Sequence, residues 1–475
     1  MMMRVRCRRP GLIAVGASVL LLAGCASMAP HYERPAPPVP AHFRDAPAGD
    51  AAAAPVATLD WQQVFLDRRL QKTIGLALEN NRDLRIAALN IQKARAQYRI
   101  QRADLLPGVN AGAGETAQRS VSAGGASQVS RGFSADVGLS GWELDLFGRI
   151  RSLKDQALET WLATAETRRG VRMSLIAEVA DDWLAVAADR QLLALARQTL
   201  ESQRKTLELT ERKHALGAVS GVDLASVRGS VESARADVAS YGSALAQARN
   251  ALELVVGAPL DDDLLPDPDG GMEAVALAPL PAGLSSAVLL ERPDVLYAEH
   301  ALKAANADIG AARAAFFPTL SLTASAGRAS DSLSSLFGAG GRTWSFVPDI
   351  RVPIFQAGAL RASLDAARIS ADVAVAEYEK AIQSAFSEVA DALALRAHVE
   401  EQLDAQRAYV EAARLSHTLA EARFRNGMSS YLEALDAQRS LYGARQGLIA
   451  LRLQEASNRV TLYKALGGGA GDVDP

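Results

Sequence analysis

The sequence is poor in cysteine, in aromatic residues and in net charge. Two cysteines among 475 residues exclude a disulfide-stapled scaffold and a four-cysteine metal site. Lys and Arg number 51 against 54 Asp and Glu, so a net charge of -3 offers no general attraction to nucleic acid. Aromatic residues make up 5% and hydrophobic residues 49%. The apolar share therefore rests on Ala, Leu and Val, which suit helices that pack closely.

A long apolar run is also missing after residue 25, so we expect no membrane-spanning helix in the mature chain. The first 24 residues hold a shorter run: arginines precede an uncharged apolar stretch over 11–24, as in a secretory signal peptide. The stretch ends in Leu-Ala-Gly before Cys25, as in the lipobox of bacterial lipoproteins. This pattern predicts a signal peptide over 1–24 and lipid attachment at Cys25. The alternative is an ordinary signal peptide followed by a chance cysteine.

Residues 25–66 form a lipid-anchored segment in this interpretation. Seven prolines fall in residues 29–56 of this segment, so the pattern predicts no helix over that stretch and favours an extended tether between the lipid and the body. Ala26, where an aspartate would favour the inner membrane, is typical of outer-membrane lipoproteins.

The body of the chain consists of two repeats of one unit, over 67–257 and 293–467. A linker at 258–292 separates the two repeats, and a tail follows at 468–475. Motifs recur about 210 residues apart, as an internal duplication predicts. They are NRDL at 81–84 with RPDV at 292–295, ADLLP at 103–107 with AAFFP at 314–318, and Gly217 with Gly427.

Each repeat predicts a helix, a β-hairpin and a hairpin of long helices. The first helix is expected over about 67–104, and its counterpart over about 293–315. A segment at about 150–213 has no proline and would reach roughly 95 Å as a helix. Its apolar residues recur every seven positions, which indicates left-handed coiled-coil packing. The long helices alone would also fit a solvated helical hairpin of no special function.

The hairpins at about 108–144 and 318–354 show alternation of apolar and polar residues, which is weakest in the first strand. Gly/Ser-rich loops are expected at about 120–130 and 329–341. Four strands of about ten residues each would have the length that crosses a bilayer obliquely in a barrel. Two half-buried soluble hairpins are the alternative. Because four strands cannot close a barrel, spanning strands require an oligomer, and a water-filled pore favours a trimer over a dimer.

The chain resembles the TolC/NodT-type outer-membrane efflux proteins, in the lipoprotein branch that resembles OprM. The stretches that carry the resemblance are LAGC at 22–25, DLRIAALNIQKARAQY at 83–98, WELDLFGRIR at 142–151, ERPDVLYAEHALKAANADIGAARAAFFPTLSL at 291–322, VPIFQAGALRA at 352–362 and RFRNGMSSYLEALDAQRSLYGARQ at 423–446.

The resemblance implies an α+β membrane protein with an internal tandem repeat. It implies a trimeric, 12-stranded transmembrane β-barrel, with four strands per chain, continued by a long α-helical coiled-coil barrel in the periplasm. The linker, the Pro-rich segment and the tail would form an equatorial region. The implied partners are two further copies, outer-membrane lipid, a periplasmic adaptor (membrane fusion) protein and an inner-membrane efflux pump, with no nucleic acid.

Two turns join the paired long helices. Gly217 and Gly427 permit the left-handed backbone that such turns need, and plain hairpin connections would require the same. The resemblance implies that these tips meet the adaptor. The candidate contact residues are Gly217, Ser220, Arg423, Arg425 and Gly427.

A candidate gate follows the second turn. Leu432 and Asp436 lie one helical turn apart and share a face. The resemblance implies that they form rings around the pore axis, with Arg439 as a restraining partner; leucines would exclude water and carboxylates would repel anions. The alternative is coiled-coil core for Leu432 and a solvated ion pair between Asp436 and Arg439. The first repeat departs from this pattern, but Asp223 is a further candidate.

No catalytic or cofactor site is predicted. The six histidines form no metal-like or triad-like cluster in the sequence, and no nucleophile elbow, phosphate-binding loop or HExxH motif is present. The predicted function is a passive, gated duct that exports small toxic compounds or drugs as part of a tripartite efflux system. The alternatives are an exit duct for type I polypeptide secretion and a coiled-coil scaffold lipoprotein that forms no channel.

Overall fold

The computed structural model describes residues 27–44, 60–121, 124–125, 127–267, 272–275 and 284–468. Cys25, the predicted signal peptide and most of the predicted tail lie outside these residues. The described chain is mainly helical, with four strands and two similar halves.

The helices fall into two comparable sets. The first set is α1 (Trp61–Val64), α2 (Arg68–Asn80), α3 (Arg82–Ala103), α4 (Arg149–Ala215) and α5 (Gly221–Val256). The second set is α6 (Pro293–Ala314), α7 (Ala359–Arg425) and α8 (Tyr431–Ala465). Both α4 and α7 have 67 residues, or roughly 100 Å of helix. No helix in the described ranges combines the length and the apolar character that a membrane crossing needs.

The single helix expected over about 67–104 is in fact two helices, α2 and α3. Asn81, between them, has an extended backbone with ψ 132°. The side-chain oxygen of Asn81 accepts a hydrogen bond from the Leu84 backbone amide at 2.9 Å, which caps α3. Its side-chain amide nitrogen, Nδ2, donates to the Val255 carbonyl at 2.7 Å. Asparagine is a favourable N-cap, so capping outweighs helix propensity at this position.

The second repeat has the same break at the matching position. Arg292 is extended, with ψ 140°, and follows a 3₁₀ helix over Ser286–Glu291. Helix α6 then begins at Pro293, where a fixed φ and a missing amide hydrogen cost nothing. The recurrence of NRDL as RPDV therefore marks the start of the same helix in each repeat.

The strands β1 (Val109–Val121), β2 (Ser127–Leu144), β3 (Thr319–Ser330) and β4 (Arg342–Arg351) form one antiparallel sheet in the order β1-β2-β3-β4. The strands have 10 to 18 residues, so most are longer than the expected ten, and β1 and β2 extend into the loop expected at about 120–130. A β-bulge near Gly141 lengthens β2. Within the described residues, β1 and β4 each pair on one side only.

The chain divides into two compact units. One comprises the described residues within 1–36, 90–164 and 297–378 and contains the sheet; the other comprises the described residues within 37–89, 165–296 and 379–475. The core of the second unit includes Trp183, which is fully buried and donates from Nε1 to the Leu264 carbonyl at 3.0 Å. The predicted linker therefore packs on the long helix α4 in this unit.

The described part of the Pro-rich segment, residues 27–44, contains no helix, and residues 27–36 are docked on α6 rather than free as a tether. We call them the strap. The Met28 and Pro30 carbonyls accept hydrogen bonds from Arg313 at 3.0 Å and Asn306 at 2.9 Å. Further along, three side chains contact the buried Glu299 carboxylate through hydrogen bonds or ion pairs. These are Tyr32, at 3.2 Å, Arg34, at 2.5 Å, and Lys303, at 2.9 Å.

Docking of the strap should depend on the charge of Glu299. Burial acts to raise the pKa of this carboxyl, but hydrogen bonds from Lys303 and Arg34 outweigh it and hold the pKa below its usual value. A carboxyl whose pKa is depressed by folding stabilises above the unfolded value, about 4.3, and loses that contribution as the pH falls through the lower folded value. We therefore expect the strap to lose protection from hydrogen exchange below about pH 4.

The variant Glu299→Ala should remove this protection at every pH, after correction for intrinsic exchange rates. Glu291→Ala changes an exposed acid just before α6 and is the matched control, for which protection should stay as in the wild type. Equal protection in the two variants would mean that Glu299 does not hold the strap.

Candidate functional site: the helical tips and the gate region

Both tip turns have the geometry that the glycines predicted. Gly217 and Gly427 are left-handed, with φ of 70° and 74°. The residue after each glycine donates its amide hydrogen back to the helix end, from Ala218 to the Lys213 carbonyl at 2.9 Å and from Met428 to the Arg423 carbonyl at 2.8 Å. These bonds satisfy helix-terminal carbonyls, so a residue with a β-carbon would strain either turn.

The helices after the two turns begin differently. Ser220 caps α5: its hydroxyl accepts from the Asp223 amide at 3.1 Å and donates to the Asp223 carboxylate at 2.7 Å. Ser430, at the matching place before α8, makes no side-chain cap bond. Here Glu433 takes the place of Asp223 and pairs instead with Arg423 across the turn at 2.6 Å.

Asp223 therefore matches Glu433 and not Asp436. Its carboxylate is already bonded at a helix N-terminus, where a negative charge is favourable. This gives Asp223 a local role in starting α5. Its part in a gate remains a prediction.

Leu432 and Asp436 lie on an exposed face of α8. Leu432 is 68% exposed in the single chain, whereas the flanking Tyr431 and Leu435 are almost fully buried. The alternative interpretation of Leu432 as coiled-coil core is therefore wrong within one chain. Asp436 and Arg439 are also exposed, and neither forms an ion pair with any other described residue. The ion pair between Asp436 and Arg439 that the alternative interpretation expected is therefore not found among the described residues of the single chain.

The buried side of α8 is held by a small apolar cluster and a polar network. Val227, Phe424, Tyr431, Ala434 and Leu435 pack together, with the Tyr431 and Phe424 rings 5.4 Å apart in an edge-to-face arrangement. This packing fixes which face of α8 remains open, so Leu432 and Asp436 are positioned by residues on the opposite side of their own helix.

The polar network links α8 to α4. Tyr431 donates to the side-chain oxygen of Gln203 at 3.2 Å, and the Gln203 amide donates to Gln438 at 2.7 Å. Gln203 is only 4% exposed, so a lost partner would leave a buried polar group unsatisfied. Sequence reasoning missed this network because one glutamine in a heptad pattern does not show which residue it will meet.

An open groove lies between α7 and α8 behind the second tip. Its volume is about 850 Å³, and its lining combines apolar side chains with Arg423, Glu433 and Asp436. Two of the predicted tip and gate residues, Arg423 and Asp436, thus line the same groove. Arg425 instead pairs with Glu421 on its own helix at 2.6 Å.

A second cavity, of about 760 Å³, was not predicted. Five carboxylates line it: Glu178, Asp181, Asp182, Glu388 and Asp391. Lys464 is the one lysine in the lining. Burial raises the pKa of Asp181 to about 6. The carboxylates come from α4 and α7, which are far apart in sequence. No group of side chains in the described ranges has a metal-binding arrangement.

The raised pKa of Asp181 makes a pH-dependent prediction. An acid whose folded pKa lies above its unfolded value, about 3.9, costs stability as the pH rises above the unfolded value, and the full cost is present above the folded pKa. Asp181→Asn should therefore raise the thermal midpoint at pH 7.5 and leave it unchanged near pH 4. Circular dichroism of the detergent-solubilised protein measures both.

Asp263→Asn, at an exposed position outside this cavity, is the control and should shift the midpoint at neither pH. A stabilisation by Asp181→Asn that is equal at both pH values would contradict the assignment of the cost to the charged carboxylate.

Comparison with known proteins gives a consistent result. The family model described as "Outer membrane efflux protein" matches residues 73–258 and 284–468. The toluene efflux pump outer membrane protein TtgC of Pseudomonas putida is 46% identical over 464 residues, covering 96% of this chain and 95% of TtgC. The cation efflux system protein CusC of Escherichia coli O157:H7 is 42% identical over 453 residues, covering 95% and 97%.

A solved structure has the same fold. The open state of the MtrE outer membrane channel of Neisseria gonorrhoeae superimposes with a TM-score of 0.84 at 39% identity, covering 94% of this chain and 99% of MtrE. The resemblance and the fold class inferred from the sequence are confirmed. The matches test neither the residues of the gate nor those of the tips.

Proposed function

Because the chain belongs to the outer membrane efflux protein family, it is an outer-membrane efflux protein that extends into the periplasm, and we propose that three copies form a passive, gated duct. The proposed cargo is small toxic compounds or drugs. We propose that a periplasmic adaptor and an inner-membrane pump deliver the cargo and supply the energy. The duct itself then needs no catalytic group and no cofactor.

One observation carries this proposal: a four-stranded sheet, whose two edges pair with no other described residue, adjoins helices of 67 residues. Unpaired strand edges are not tolerated in a bilayer, and four strands cannot close on themselves. Three sheets of this kind, joined edge to edge, give 12 strands, which is enough for a barrel with a water-filled interior. A scaffold without a channel has no use for such a sheet.

The gate proposal follows from threefold symmetry. The exposed Leu432 and Asp436 on α8 would each become a ring of three around the axis. Arg439, which is unpaired in the single chain among the described residues, would then find its acidic partner on a neighbouring subunit. The proposed adaptor contacts stay with the tips, at Gly217, Ser220, Arg423, Arg425 and Gly427.

The division into domains and the lipid anchor remain part of the proposal. The signal peptide would be removed before Cys25, and the intact mass of the mature protein would show the acyl chains. Several acyl chains would hold the strap end stably at the membrane, where one would be marginal. Cys25→Ser should abolish the added mass.

The function is tested in a Gram-negative host that lacks its own efflux ducts. The wild-type chain should restore resistance to organic solvents or antibiotics only when an adaptor and a pump of a matching system are also expressed. Resistance without the pump, or none with it from a chain shown to reach the outer membrane, would overturn the proposal. Export of a polypeptide instead would favour the secretion duct.

A further inference from the structure

One long face of α6 is covered by the strap. Its residues recur with three- and four-residue steps, and each is buried or half-buried: Glu299, Lys303, Asn306, Gly310 and Arg313. We call these five residues the strap face. The ammonium of Lys303 lies 5.2 Å from the centre of the Tyr32 ring. The strap comes closest at Gly310, where a β-carbon would lie only 2.7 Å from the Ala29 nitrogen, so this crossing requires glycine.

The matching face of α3 is bare. The motifs NRDL and RPDV begin at 81 and 292, and their alignment maps the strap face onto five residues of α3, which we call the basic face. They are Ala88, Gln92, Arg95, Arg99 and Arg102. Ala88 is half-buried and the other four are exposed. Arg99 stands where Gly310 admits the strap, so the first repeat has no room for a strap in the same place.

The basic face carries positive charge that the chain does not neutralise. Helix α3 has six basic residues and one acid, whereas α6 has two basic residues and three acids. The guanidinium of Arg95 lies over the ring of Trp161, 5.6 Å from its centre. Apart from that contact, none of the three arginines has an ion pair or hydrogen bond with a residue that the structure describes. A surface of this kind attracts an anionic partner.

The acid nearest in sequence does not compensate this charge. Asp104 follows α3 directly, but its carboxylate already accepts a hydrogen bond from Gln101 at 2.9 Å. Helix C-termini favour basic residues, which gives Arg102 in the last turn a local reason to be there. That reason does not extend to Arg95 and Arg99, because the effect of the helix dipole is confined to the last turn.

The basic face ends at the membrane boundary. Arg95, Arg99 and Arg102 occupy the last turns of α3, and β1 begins at Val109. The three arginines spread over roughly 10 Å of helix, and the headgroup layer on each side of a bilayer is roughly 5–8 Å thick. Since the sheet forms the membrane-spanning part of this fold, Arg102 lies nearest to the lipid headgroups and Arg95 lies farthest from them.

The strap indicates which side of the duct wall this face occupies. Ser27 follows the proposed lipid attachment site, Cys25, by two positions, so the strap runs from the membrane along the outside of the proposed duct. The strap face is therefore an outer surface. Because the two repeats have the same architecture, the basic face of α3 is an outer surface too, open to the periplasmic leaflet of the outer membrane.

We propose that Arg95, Arg99 and Arg102 bind the phosphate groups of anionic phospholipids in the periplasmic leaflet. Guanidinium groups pair with phosphate oxygens through two parallel hydrogen bonds, and basic clusters beside a membrane-spanning segment attract anionic lipid. Lipid then holds the first repeat at the membrane boundary, where the strap holds the second. The inference rests on the proposed duct and its lipid anchor, and it adds a lipid-binding surface to them.

Native mass spectrometry of the detergent-solubilised trimer, titrated with phosphatidylglycerol or phosphatidylcholine, tests the proposal. The wild type should bind phosphatidylglycerol more tightly than phosphatidylcholine, which has no net charge, and the difference should shrink as the ionic strength is raised. Arg95→Gln/Arg99→Gln/Arg102→Gln should weaken binding of phosphatidylglycerol by about 100-fold at low ionic strength, because each basic residue beside anionic lipid contributes about fivefold.

Two controls separate this surface from charge in general. Arg204→Gln/Lys205→Gln/Arg212→Gln removes the same charge from exposed residues near the opposite end of α4 and should leave lipid binding as in the wild type. Arg85→Gln changes an exposed arginine on the same side of α3, roughly 25 Å further from the membrane than Arg102, and should have little effect. The single variants should therefore show a graded loss, largest for Arg102→Gln.

The surface is overturned if the wild type binds the two lipids equally, or if the triple variants in α3 and α4 lose the same affinity. Displacement of the lipid by inorganic phosphate as readily as by more phosphatidylglycerol would show a simple anion site and would also overturn it. The same holds for an acidic protein that binds the wild type but not the α3 triple variant while lipid binding is unchanged.

The failure of this proposal differs from the failure of the proposed duct. A chain that forms trimers and restores resistance, but shows no preference for anionic lipid, loses only the lipid surface. A wild-type chain that is monomeric by native mass spectrometry overturns the duct itself.

Discussion

Removing the leucine and the carboxylate of the gate together, as Leu432→Ala/Asp436→Ala, is expected to raise the single-channel conductance in planar bilayers several-fold. In the proposed closed state, three leucine side chains narrow the pore and exclude water, and truncation to alanine widens the ring. The loss of three carboxylates also removes any hold that Arg439 of a neighbouring subunit would have on α8. Both changes favour the open packing of the same helices.

The first repeat offers a matched control. Val222 and Ser226 occupy the places of Leu432 and Asp436, in the same turns of α5. Val222→Ala/Ser226→Ala should change conductance little, because it removes a smaller apolar group and no charge. Equal conductance in the wild type and the gate variant, from protein shown to be trimeric, would place the constriction elsewhere. If Asp436→Ala alone abolished the cation preference of the pore, the effect of the carboxylate charge on selectivity would be distinguished from the effect of the leucine on the width of the opening.

The parts of the fold that follow from periodicity could be predicted from the sequence. Seven-residue spacing of apolar residues predicted the long helices, and alternation over about ten residues predicted the four strands. Both patterns arise from how side chains point along a regular backbone, so neither depends on distant parts of the chain. The left-handed glycines at both tips were predictable for the same local reason.

The parts that depend on distant contacts were missed. The break at Asn81 is reinforced by a hydrogen bond to the Val255 carbonyl, 174 positions away, and the docked strap depends on Glu299. The Gln203 network and the carboxylate-lined cavity also join residues from different helices. At the gate, Leu432 and Asp436 are both exposed on α8, and the alternative of an ion pair between Asp436 and Arg439 is not found among the described residues of the single chain; the gate itself stays a prediction.

Asn81 and Arg292 show how the repeat is conserved in structure when its residues differ. Each precedes the matching helix, α3 or α6, and each donates to a carbonyl at the end of the last helix of its own repeat. Asn81 reaches Val255 in α5, and Arg292 reaches Ala465 in α8 at 2.6 Å. A short amide and a long guanidinium therefore make the same connection, which ties the start of each repeat to its end.

Arg292→Met should consequently be one of the most destabilising single substitutions in the chain. Arg292 is 3% exposed and also bonds Asp294 at 2.7 Å and Glu388 at 2.8 Å. Methionine keeps most of the stem volume but leaves the buried Ala465 carbonyl without a donor, at a cost of about 1–3 kcal/mol. Arg292→Lys should recover part of this loss, because an ammonium can reach one acceptor but lacks the planar fork.

Thermal unfolding followed by circular dichroism, at one fixed protein concentration, measures these differences in an oligomer. Glu388→Gln is the control, since it removes the charge of the half-exposed partner of the same guanidinium and should cost less than about 1 kcal/mol. If Arg292→Met shifted the midpoint no more than Glu388→Gln, the surface ion pair rather than the buried carbonyl would account for the contribution of Arg292. The larger shift expected for Arg292→Met would instead assign that contribution to the hydrogen bond from Arg292 to the Ala465 carbonyl, which joins the two ends of the second repeat.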